Sequence, residues 1–165
     1  MKNFNLIELT NKINHYNPEE EREYTLGDYY LMRAGLLKKA CYYKEAMNDF
    51  EKATIEENKC NDMFSAKLEY ATFLTLLNKL EDSIPIYEEL LKNGSTMSKD
   101  PNWVNLYAKY ITALANIKPQ EAVTLADKAV ALYPNERDIH IARGSVAYQT
   151  KNMIQAIDVW VIIGK

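Results

Sequence analysis

Two histidines, His15 and His140, two cysteines, Cys41 and Cys60, and the carboxylate runs Glu19–Glu21 and Glu88–Glu89 are the residues of this 165-residue chain whose types could do chemistry. Acid–base catalysis needs a base and an acid held in one closed pocket, and nucleophilic catalysis needs a nucleophile beside a base. The histidines stand more than a hundred residues apart with no motif around either. The cysteines lack the paired spacing of a zinc or redox site and are too few for a disulfide framework. Glu88–Glu89 and Glu19–Glu21 have the spacing of solvated helix faces. No glycine-rich phosphate loop, HExxH or CxxC occurs. The expectation is no enzyme, no metal and no cofactor.

The bulk numbers narrow the remaining classes. A formal net charge of −3 argues against a nucleic-acid partner, because neutralising phosphates takes clustered Lys and Arg. Lys38–Lys39 is the best basic pair. The start "MKNFNLIELTNK" is broken by polar residues and does not read as a signal peptide. The most apolar run, "VWVIIG" at 159–164, is far too short to span a bilayer. A cytoplasmic location with no membrane contact is therefore expected. Twelve tyrosines suit half-buried helix faces, since each combines an apolar ring with a wettable end. Asn17-Pro18 followed by Glu19–Glu21 has the form of a helix start: a cap, a proline in first position, and carboxylates at the positive dipole end.

The elements that must position these residues are helical and repeated. In "YYKEAMNDFEKA" a small residue, an aromatic and a second small residue fall at Ala46, Phe50 and Ala53. Related triplets are Ser83, Tyr87, Leu90; Ala122, Ala126, Ala129; and Ala156, Trp160, Ile163. Their first members are separated by 37, 39 and 34 residues, and periods in the thirties mark helical repeat arrays. Twelve positions before each triplet, another helix carries its own small residue: Ala34, Ala71 and Gly144. A small side chain on one helix lets the next approach closely, and larger residues fill the space around the crossing. The third unit departs, with Tyr110 in that place and Ala108 two before it, so its first helix is expected to pack differently. Helix pairs should turn near 41–42, 78–80, 116–119 and 150–152. Pro85 fits if its helix starts near Asp82, and Asn135 can cap the helix after Pro134.

"RAGLLKKACYYKEAMNDFEKA" (33–53) and "ARGSVAYQTKNMIQAIDVW" (142–160) give the chain a pattern that resembles the tetratricopeptide repeat (TPR) family, whose unit of about 34 residues is an antiparallel helix pair. The resemblance implies an all-α, right-handed α-solenoid of about four antiparallel helix pairs plus an N-terminal helix. Residues 1–26 would be a covering helix and lead-in. Residues 27–165 would be the repeat domain, with units near 27–61, 64–97, 103–136 and 137–165. The departures are Ser83 for alanine, extra residues around 57–62 and 93–101, and the irregular third unit. His140 falls at an aromatic position of its repeat, which makes it a packing residue rather than a catalytic one.

The resemblance further implies a non-catalytic protein–protein adaptor whose first helices line a concave groove. Counting from Gly27, Phe64, Trp103 and Arg137, the inward positions include Leu68, Leu76, Tyr107, Ile111, Ile141 and Tyr148. Together these suggest a groove for an apolar peptide or helix. Family members that hold a terminal carboxylate use Lys, Asn and Arg on first helices. Here Leu31, Gly35, Glu69, Val104 and Ala108 stand in those places, so acidic chaperone tails are not expected partners. The alternative is self-association. The end "AIDVWVIIGK" leaves Val159, Trp160, Ile162 and Ile163 on an uncapped helix, as expected of a homodimer surface or of a fragment of a longer repeat protein.

Overall fold

The computed structural model describes residues 4–93, 101–152 and 156–157. Among the described residues there are eight α-helices and no strand. In chain order these are α1 (Leu6–Asn14), α2 (Leu26–Lys39), α3 (Tyr43–Ala53), α4 (Met63–Leu76), α5 (Leu80–Asn93), α6 (Pro101–Ala115), α7 (Pro119–Leu132) and α8 (Arg137–Gln149). A short 3-10 turn, Glu56–Asn58, precedes α4. The helix pairs turn where the repeat spacing predicts. The chain divides into two compact units, Met1–Phe73 and Leu74–Lys165, and the division falls within α4.

In the first unit α1 and α3 both pack on α2. Ala34, Ala46 and Ala53 are fully buried, as expected for residues that admit close helix approach. Phe50 fills the space beside them, with its ring centroid 5.2 Å from that of Phe73 and 6.3 Å from that of Tyr70. Two helix starts in the unit are pinned by capping boxes. Asn5 and Glu8 form a capping box on α1, and Thr25 and Asp28 form one on α2. Asp28, itself buried, accepts further hydrogen bonds from the Asn61 backbone N–H (3.0 Å) and the Cys60 thiol (3.1 Å). Gly27 makes this approach possible, because a Cβ there would stand 2.9 Å from the Cys60 nitrogen. Burial, and then the bond to Asp28, push the Cys60 thiol up to about 12, which keeps it protonated and unreactive. The extra residues near 57–62 are therefore the strap that holds the start of α2.

In the second unit Ser83, Tyr87 and Leu90 are buried, as are Ala122, Ala126 and Ala129 and, further on, Gly144 and Ala156. Ser83 replaces alanine without an orphaned hydroxyl, since its Oγ donates to the Leu80 carbonyl at 3.2 Å. Tyr110, in the place of a small residue, is buried and stacks on Tyr87 with centroids 5.5 Å apart. Its hydroxyl donates to Glu88 at 3.2 Å. An aromatic pair here replaces the close helix approach found elsewhere.

Three of the helix-pair turns share one geometry. Cys41, Asn78 and Lys151 each have positive φ (63°, 58° and 59°). The next residue's N–H closes the turn onto the carbonyl five residues back: Tyr42 to Leu37 (2.9 Å), Lys79 to Leu74 (2.9 Å) and Asn152 to Ala147 (2.8 Å). The turn between α6 and α7 has no positive-φ residue, and Lys118 N–H instead reaches Leu114, four residues back, at 2.7 Å. The third unit is thus irregular in its turn as well as at Tyr110.

Three local expectations are corrected. Asn17-Pro18 caps a single turn, with Glu20 and Glu21 N–H donating to the Asn17 carbonyl. The helix that follows starts afresh at the Thr25 cap. Helix α5 begins at Leu80 rather than Asp82, so Pro85 lies past its first turn. The cost is one hydrogen bond, because proline has no N–H to give the Glu81 carbonyl, and Pro85 is exposed to water. The cap of α8 is Glu136, not Asn135, and its side chain makes no capping bond.

Two substitutions test this packing. Ala46→Leu should lower stability by about 1–3 kcal/mol through overpacking, read by chemical denaturation. Lys151→Gly should raise it by about 0.5–1 kcal/mol, because glycine adopts positive φ without steric cost. Asn78→Gly should gain less, since asparagine already tolerates that region.

Candidate protein-binding surface

The six inward positions fall into two groups. Leu68, Tyr107 and Ile111 are buried. Leu76, Ile141 and Tyr148 are exposed at 67%, 44% and 68%, far more than core residues of their size show. Ile141 and Tyr148 are seven residues apart on α8, two turns along one face, with exposed Ser145 between them. Leu76 closes α4. Val159, Trp160, Ile162 and Ile163 lie outside the described residues.

Leu68 lies on α4, and helix α6 carries the other two buried positions, Tyr107 and Ile111. Every position of its expected inward face (Val104, Tyr107, Ile111, Leu114 and Ala115) is buried, whereas the equivalent face of α8 is open. The exposed residues of α6 are Pro101 and Asn102 at its start and then Asn105, Lys109 and Thr112. The altered turn after Ala115 and the Tyr87–Tyr110 stack accompany this change of exposed face. Burial and the neighbouring Tyr133 ring, 5.7 Å from Tyr107, both raise the Tyr107 pKa, and the Tyr107 hydroxyl has no hydrogen-bond partner among the described residues. It is a core ring carrying an uncompensated polar atom.

Both histidines are tied to backbone carbonyls. His140 is buried, and its Nε2–H donates to the Pro134 carbonyl at 2.7 Å. The His15 Nδ1 bonds the Asn11 carbonyl at 3.0 Å. Among the described residues no group of three or more His, Cys, Asp or Glu could hold a metal ion. None of their helices is long and apolar enough to cross a membrane. The strongest polar cluster is one that spacing did not reveal. Arg33 on α2 holds Asp49 on α3 by two hydrogen bonds, Nε to Oδ2 at 2.6 Å and Nη2 to Oδ1 at 2.9 Å, and donates a third to Thr10 of α1 at 3.2 Å. Its only trace in the sequence is an arginine and an aspartate on adjoining helices, a combination too common to single out.

Solved structures of TPR proteins share this architecture. MamA from Desulfovibrio magneticus RS-1 (residues 41 to the end) superposes with a TM-score of 0.73 at 16% identity, covering 96% of this chain and 81% of that one. PilF of Pseudomonas aeruginosa gives 0.67 at 14% identity, covering 84% and 60%. YrrB, described as a TPR protein with an unusual peptide-binding site, gives 0.64 at 17%, covering 93% and 75%. The chain has a TPR-like fold. No protein-family model matches the sequence, and no curated protein matches it either.

The orphaned Tyr107 hydroxyl gives a direct test of how this part of the TPR-like core is assigned. Leaving a buried polar group unpaired costs about 1–3 kcal/mol. Tyr107→Phe should therefore keep the melting temperature unchanged or raise it. A clear fall would show that the hydroxyl has a partner in solution.

Proposed function

We propose that the protein is a non-catalytic adaptor that binds an apolar peptide or helix of another protein, with Ile141, Tyr148 and Leu76 as its contacts. The observation that carries this reading is the exposure of three large apolar side chains at inward positions of first helices, two of them on one face of α8. Such a stripe suits a partner helix or extended segment. Tyr148 offers a large, fairly rigid amphipathic ring, the kind of side chain that dominates interface energetics. Leu68, Tyr107 and Ile111 stand in this proposal as support rather than contacts. YrrB, with its peptide-binding site, makes peptide recognition a reasonable expectation for the fold. The net charge of −3 makes phosphate backbones poor ligands.

Selection from a displayed library of random peptides tests the proposal. Enriched peptides should be apolar, and affinity should change little between low and high salt, because apolar burial is not screened as charge pairs are. Tyr148→Ala should cost on the order of 2 kcal/mol of binding, and Ile141→Ala somewhat less. Both side chains are exposed, so circular dichroism should be unchanged. Undiminished affinity in the Ile141→Ala/Tyr148→Ala double variant would remove this surface from consideration.

A further inference from the structure

A cleft of about 980 Å³ opens between α1 and the residues that flank it. Its walls carry two rings, Phe4 and Tyr16, and four acceptors, Glu8, Glu20, Glu21 and His15. The rings are anchored, since each meets the buried Tyr29 edge-on with centroids 6.0 and 6.3 Å apart. His15 is an acceptor because of its other nitrogen. Its Nδ1 stands 3.0 Å from the Asn11 carbonyl, which can only accept, so the proton of the neutral ring sits on Nδ1 and Nε2 keeps its lone pair. Glu8 uses one oxygen to cap the Asn5 N–H at 2.9 Å and has the other to offer. The exposed Glu20 carboxylate makes no hydrogen bond or ion pair among the described residues.

Lys12, the cation in this lining, shows how the walls treat positive charge. Its Nζ lies 2.8 Å from Glu21 and 5.8 Å from the Tyr29 ring centre, a carboxylate and a ring together. The bond from Lys12, and then one from the Tyr29 hydroxyl, hold the Glu21 carboxyl below its usual range, so it stays ionised. Lys12 answers that carboxylate and leaves Glu8 and Glu20 uncompensated. A metal ion does not fit this set, because among the described residues no group of three or more His, Cys, Asp or Glu could hold one. Separated acceptors beside aromatic rings suit an organic cation with several donors and a flat face. A guanidinium has both, whereas an ammonium is a compact, strongly hydrated point charge.

We infer that this cleft binds an arginine side chain of a basic protein segment, with Glu20, Glu8 and His15 Nε2 accepting from the guanidinium and Phe4 and Tyr16 forming the apolar wall. The cleft is larger than one side chain fills, so it also admits neighbouring residues of the segment. The site lies in the first unit and is independent of Ile141 and Tyr148.

The test titrates the full-length chain with three short synthetic peptides in which glycines alternate with arginine, lysine or glutamate, followed by nuclear magnetic resonance. The chain has two histidines, and they report separately. The His15 ring signals should move with the arginine peptide, while those of His140, buried in the second unit, should stay in place. The arginine peptide should bind about fivefold tighter than the lysine peptide, since only the guanidinium offers a planar fork, and the glutamate peptide should not bind. Binding should weaken as sodium chloride is raised to about 1 M, where exposed charges are screened within about 3 Å. Glu20→Gln should leave thermal stability unchanged and lower arginine-peptide affinity about fivefold, the loss of one charge-assisted contact. Glu19→Gln, one residue away and outside the cleft lining, should leave affinity unchanged. No movement of the His15 signals, equal binding of the arginine and lysine peptides, or equal losses in the Glu19→Gln and Glu20→Gln variants would each overturn the proposal, the last by showing attraction to net charge rather than to a site.

Discussion

Close approach between paired helices is the constraint on which the rest of the structure depends. It is met by residues with almost no side chain. Ala34, Ala46 and Ala53 in the first unit, and Ala122, Ala126, Ala129 and Gly144 in the second, are buried where helices meet. Because these residues contribute little area themselves, burial must come from large neighbours, and the aromatic rings supply it. Phe50 against Phe73 and Tyr70, and Tyr87 against Tyr110, fill the space that the small residues leave. The two classes of residue are useless apart. A small residue without a ring beside it leaves a cavity, and a ring without a small residue opposite holds the helices apart.

This dependence explains why the sequence was so legible at the level of architecture. Most repeats state the same requirement at the same places, so registers that are weak singly become firm when several agree. The turn positions followed, since Cys41, Asn78 and Lys151 stand at equivalent places and take the same conformation. Local readings did worse. Pro85 was tolerated farther into its helix than expected, because an exposed proline costs only one hydrogen bond. Asn17-Pro18 had the chemistry of a helix start but carries only a single turn. The capping box at Thr25 and Asp28 then took over.

The inward surface was only half legible, for a different reason. Counting positions assumes that every first helix presents the same face, and that assumption holds only if every turn is the same. The turn after α6 lacks the positive-φ residue of the others, and Tyr110 occupies a place that a small residue holds elsewhere. Both departures fall in one unit, and there the expected inward residues Tyr107 and Ile111 became core. The signal was present in the sequence as a missing alanine. Its consequence for exposure could not be computed from spacing, because a rotation of a helix about its axis leaves the spacing unchanged.

Side-chain pairs between helices are harder still to read, and Arg33–Asp49 shows why they matter. Nothing in the spacing of an arginine and an aspartate says that they meet, yet the buried Asp49 carboxylate would be costly without its partner. The pair fixes α3 against α2 by geometry rather than by apolar area. Helix α1 is tied to α2 by the opposite means, the burial of Leu9 and the meeting of the flanking Phe4 and Tyr16 rings with Tyr29.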